Sequence, residues 1–199
     1  MGSQVGGPLP VSKPLGWLKQ LFLVTLFPLH FWAVIILLAD VSWVAERTNA
    51  WDAVGYTAYI LLVALVESIA AFIVFAALSS LLPRSWESNK RLAVMGYYAL
   101  LLPLWGVINQ LNFFPIDSFS SFVNDTLAVS PRPYFHGFLL LIGVGIAVLT
   151  SALIPIFLTF RFPKFIEIMD NIWERIVLLS IIYLGLDLLG LIIVLYRNY

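Results

Sequence analysis

Five apolar runs, each about as long as a hydrocarbon layer is thick, leave this chain very few folds to adopt. They cover residues 21–41, 56–82, 92–112, 134–160 and 175–196. Backbone amides in hydrocarbon have no water to bond, so an apolar run of about 20 residues must be a helix that satisfies its own backbone. A transmembrane β-barrel needs segments of about ten residues that alternate in polarity. Residues 60–66 and 138–149 are continuously apolar instead, which excludes a barrel. Composition agrees: 61% of the 199 residues are hydrophobic and 11% are charged, where a soluble domain carries about a quarter charged. The expected fold is all-α, an integral membrane bundle of five transmembrane helices. It forms a single domain over residues 21–199, behind a mobile arm at residues 1–20 whose first 16 residues are rich in Gly and Pro.

Lysine and arginine are retained on the cytoplasmic side of a membrane. Lys13, Lys19, Arg84, Lys90, Arg91, Arg161, Lys164 and Arg175 fall on one side of the five spans, and Arg47, Arg132 and Arg197 on the other. The N-terminus is therefore expected in the cytoplasm and the C-terminus outside, in a plasma or inner membrane. The formal net charge is zero, so no global field recruits a nucleic acid. The absence of cysteine excludes disulfides, thiolate metal sites, iron–sulfur ligation and a cysteine nucleophile.

The first span is not a cleavable signal, because no small-residue cleavage pattern follows it. Gly6 stands where myristoylation needs Ser or Thr. Two connecting segments have patterns of their own. Residues 161–174 place Phe162, Phe165, Ile166, Met169, Ile172 and Trp173 at helical spacing, with Pro163 suited to a first turn. A short cytoplasmic helix lying in the interface before the last span is expected there, finishing the fold or docking a partner. Between residues 113 and 133, Phe119, Phe122 and Val123 suggest a segment folded back on the outer surface, which also carries the glycosylation triplet Asn124, Asp125 and Thr126. Trp17, Trp43, Trp51, Tyr56, Trp86, Trp173 and Tyr196 fall near span ends, as an aromatic belt requires without any ligand.

Small residues let membrane helices approach closely. Gly143, Ala147 and Ser151 follow one another at i+4 steps in the fourth span and are expected to pack helices together; Ala64 and Ser68 do the same in the second. The informative residues are ionisable ones at mid-span: His30 in the first, Glu67 in the second and Asp187 in the fifth. A charge at that depth costs about 2.5–3.5 kcal/mol even on a permissive scale, so each must face the interior, carry a proton or find a partner. Together they would suit a proton relay, a cation or a ligand amine; singly they act as interhelical glue worth about 0.6–2 kcal/mol. Asn109 and Gln110, nearer the outer end of the third span, have the same two readings.

The two histidines, His30 and His136, stand about half a membrane apart, so no shared haem or zinc is expected and no cofactor is implied. His-Glu-x-x-His, Gly-x-Ser-x-Gly and phosphate-loop patterns are absent. The five-span layout with a cytoplasmic start and external end resembles, in topology alone, the anchor that precedes extracellular sulfatase-type phosphotransferase domains, and is similar to many unrelated subunits. That resemblance brings no catalytic residue to this chain. Three functions are open: a non-catalytic subunit, scaffold or membrane domain that meets a membrane-protein partner or a second copy; a small transporter or proton-coupled channel using the buried polar groups; and the anchor of an enzyme whose catalytic domain follows residue 199.

Overall fold

A computed structural model describes residues 16–83, 85–113 and 121–199, and among these every regular element is a helix. In chain order they are α1 (Trp17–Ala39), α2 (Val41–Arg47), α3 (Ala50–Ser79), α4 (Ser88–Phe113), α5 (Ser121–Ala128), α6 (Pro133–Arg161) and α7 (Pro163–Asn198). Helices α1, α3, α4, α6 and α7 are each long and apolar enough to cross a bilayer, and α2 and α5 are short connectors. These five helices give the chain the build of a multi-pass membrane protein.

Capping chemistry carries helices beyond the apolar runs. Helix α3 starts at Ala50 because the Asn49 Oδ1 accepts from the Asp52 amide at 2.9 Å, while Asn49 Nδ2 donates to Asp52 Oδ2 at 2.8 Å. Proline opens α6 and α7, where its missing N–H costs nothing. Helix α1 begins at Trp17, inside the stretch expected to belong to the arm; residues 1–15 lie outside the described residues. The segment expected as a separate interfacial helix is helical from Pro163, but it continues unbroken to Asn198. No proline interrupts residues 164–198, so the 36 residues form one rod of about 54 Å. Of the loop expected at residues 113–133, α5 supplies an ordered turn that buries Val123. Phe119 and the side chains of Phe122 and Asn124 lie outside the described residues.

Helix α1 is the central rod, packed against α3, α4 and α7. Leu21, Leu23, Val24, Thr25 and Leu26 are all buried and Phe22 is half-buried, so α1 is covered around most of its circumference there. The main core lies at this end, where Leu21 and Val24 meet Phe75 of α3, Leu92, Val94, Met95 and Ala99 of α4, and Trp173 and Ile176 of α7. Trp173 corrects one expectation: it is not a belt residue but is 2% exposed. Gly96 makes its room, since a Cβ there would stand 2.8 Å from the Trp173 ring. Helix α6 sits at the edge, held mainly to α4, with Phe138, Leu149, Leu153 and Phe157 exposed. In water such a face would aggregate; in a bilayer it is solvated by lipid.

Candidate functional site

Helices α1 and α7 run in the same direction and share a seam with two polar rungs. The Ser180 hydroxyl contacts the Leu23 carbonyl at 2.6 Å, and its own-helix Ile176 carbonyl at 2.9 Å. One rung further, His30 Nε2 meets Asp187 Oδ1 at 2.9 Å. Both rungs have the same sequence offset, 157 residues, so each helix advances seven residues between them. Seven residues make two turns, about 10.5 Å, the repeat at which parallel helices return to the same seam. His30 and Asp187 are thus part of a register device as well as a candidate site.

The pair is closed to solvent: His30 is 0% exposed and Asp187 2%. Its proton count follows from acceptor chemistry. His30 Nδ1 lies 3.0 Å from the Leu26 carbonyl, which can only accept, so Nδ1 carries a proton. One further proton then sits between Nε2 and Oδ1. Whether it resides on nitrogen or oxygen, the unit as a whole is neutral, which is the form a hydrocarbon interior tolerates. The Tyr183 ring stacks on His30 with centroids 5.3 Å apart and covers one face of the imidazole. A single polar atom of the pair stays unsatisfied: Asp187 Oδ2 is buried with no hydrogen-bond partner.

Glu67 does not join them. It is exposed on α3, at the end of a groove between α1 and α3 whose walls include Trp32, Ile60 and Val63 and whose floor includes the buried Ala33 and Ala64. The expected triad of mid-span groups therefore divides into an inward-facing pair and an outward-facing carboxyl. Helical geometry accounts for the split: Ala64 and Ser68, flanking Glu67, are buried, and a neighbouring residue turns about 100° away from Ser68.

Asn109 and Gln110 are exposed on α4, with Asn109 beside a shallow groove shared with Val144 and Val148 of α6. Of the small-residue stripe, only Ser151 engages another helix: it accepts from Trp105 Nε1 at 3.0 Å and donates to the Val148 carbonyl at 2.8 Å. Tyr98 adds a second tie from α4 to α6, donating to the Ala152 carbonyl at 2.6 Å. Gly143 and Ala147 do not pack against a helix as expected. They are exposed along an apolar groove of about 630 Å³ that also touches Trp105, Leu139 and Val144. A Cβ on Gly143 would meet nothing within 4 Å. His136 is at the far end of that groove, bonded to Ser130, and shares no site with His30. Among the described residues, no three His, Asp or Glu side chains form a group able to hold a metal ion.

Two participants escaped the sequence reading: Ser180 and the Tyr183 lid. Their signal was available in the heptad from Ser180 to Asp187, matched by the heptad from Leu23 to His30. The five apolar helices and the buried rungs place the chain in the class of multi-pass membrane proteins. Compared with protein families, with curated proteins and with solved structures, the chain gives no match.

Proposed function

We propose that this chain is a non-catalytic membrane subunit or scaffold, with its N-terminus on the lysine- and arginine-rich cytoplasmic side of a plasma or inner membrane. The observation that carries the reading is the division of the mid-span polar groups. His30 and Asp187 pair with one another directly, as interhelical ties do. Glu67 is left exposed on the lateral surface of the bundle, where lipid solvates it poorly and a second membrane helix solvates it well. The sparsely covered α6, with Gly143 and Ala147 open to a groove, offers further lateral surface. The test is purification from native membranes in mild detergent, followed by native mass spectrometry. A particle containing a second polypeptide is expected; a strictly monomeric particle overturns the proposal.

One observation favours proton transport as a second reading: Asp187 Oδ2 is buried and unpartnered beside a proton shared with His30. In proteoliposomes that reading requires proton flux, and requires Asp187→Asn to abolish it while the protein stays folded. Unchanged flux in that variant, or none in the parent, eliminates it.

A further inference from the structure

Glu67 is unusual in being ionisable, central and outward-facing at once. It lies 17 residues from the Ala50 end of α3 and 12 from the Ser79 end, about 25 Å and 18 Å along the axis. Both distances keep it well within a hydrocarbon layer about 30 Å thick. No hydrogen bond or ion pair ties it to any described residue. The groove it terminates has a volume of about 330 Å³, aromatic and branched walls, and a floor of two alanines, Ala33 and Ala64, only 6% and 3% exposed. Alanines at a groove floor admit close approach of another helix backbone.

Resting on the subunit reading above, we propose that this groove receives a transmembrane helix of a different protein, one carrying a lysine or arginine at the depth of Glu67. Charge complementarity selects the occupant. An outward carboxylate in lipid needs a cation or strong donor, and pairing with one neutralises both. A second copy of this chain does not supply it. Every one of its lysines and arginines flanks a span, and the two that intrude furthest, Lys19 on α1 and Arg175 on α7, sit about 8 Å and 9 Å nearer the opposite boundary than Glu67, by helix rise from the His30–Asp187 level and the shared Ala50 and Asn198 ends. The copy's His30 is committed to its own Asp187, and its His136 lies near the start of α6. The contact between Arg197 and Asp52 at 2.7 Å aligns those helix ends, so the comparison of depths is direct.

The test uses the full chain in phosphatidylcholine vesicles, with a donor dye on a single cysteine introduced at the exposed Ser80. The probes are synthetic transmembrane leucine–alanine helices bearing an acceptor dye, one with a central lysine and one with leucine in its place. Energy transfer reads the bound fraction. The lysine helix is expected to associate at least tenfold more strongly than the leucine helix. Glu67→Gln should bring the two within twofold, and Val63→Trp, which fills the groove from an exposed position, should weaken the lysine helix without touching the carboxyl. Equal association of both probes overturns the proposal. So does Glu67-dependent energy transfer between copies of the chain alone, or Glu67-dependent binding of dodecylamine with no preference for the lysine helix. In native membranes the two readings separate. A monomeric particle refutes the subunit reading, whereas a heteromer that survives Glu67→Gln and Val63→Trp preserves it and refutes this site.

Discussion

Removing one side of the His30–Asp187 rung should cost more than removing both. Each side chain is at least 98% buried, and the two meet at 2.9 Å. Asp187→Leu strips Nε2 of its partner while Nδ1 stays on the Leu26 carbonyl, leaving a buried polar atom unsatisfied at a cost of about 1–3 kcal/mol. The different shape of leucine in this packed site adds to that, giving about 2–3 kcal/mol. His30→Leu strands both carboxyl oxygens of Asp187, since Oδ2 already has no partner, and should cost about the same. Replacing both residues with leucine leaves no orphan, so the double variant should lose only about 1–2 kcal/mol. Polar ties between membrane helices average about 0.6 kcal/mol and reach about 1.7 in cycles of this kind. The costs above imply a coupling of at least about 2 kcal/mol, beyond that range, because the bond is fully enclosed and either single change leaves a buried orphan. Asp187→Asn retains the length and offers an N–H to the neutral imidazole, so it should cost under about 1 kcal/mol. The assay is reversible unfolding in mixed micelles by dodecyl sulfate titration, followed by circular dichroism. Single variants whose costs add to that of the double within about 0.5 kcal/mol would refute the reasoning.

Two further outcomes are expected. Gly96→Ala places a methyl 2.8 Å from Cζ2 and 3.0 Å from Cε2 of the enclosed Trp173 ring, and should destabilise by about 1–3 kcal/mol in the same titration, with Trp173→Phe recovering part of the loss; unchanged stability would mean the ring is not where the packing places it. Arg197→Gln breaks the 2.7 Å pair with Asp52 and a 2.7 Å bond to the Trp51 carbonyl, yet the pair is partly exposed, so the loss should stay below about 1 kcal/mol and shrink as salt is raised from 0.05 to 0.5 M, roughly.

Much of the fold was legible because a bilayer accepts so few structures. Each of the five apolar runs overlaps one long helix, and the continuous runs at residues 60–66 and 138–149 lie in α3 and α6. Ends were read less well where caps act: the Asn49–Asp52 box moves the start of α3 outward, and the absence of a breaker after Pro163 merges an amphipathic segment with the last span. In the candidate site, mid-span position singled out His30, Asp187 and Glu67, but not how they would group. Trp173 shows the same limit, because a tryptophan near a span end suits a headgroup layer and a core equally well.

Amino-acid order alone determined that the polypeptide folds as membrane-crossing helices, and how many, since unpaired amides are intolerable in hydrocarbon whatever the neighbours are. Only the assembled bundle decided which flank of each rod is enclosed. Leucine is as content against lipid as against another leucine, so hydropathy is nearly blind to that choice. Polar rungs and small residues break the tie: Ser180 and Asp187 turn α7 toward α1, Gly96 admits Trp173, and Glu67, one position from the enclosed Ser68, is left facing outward.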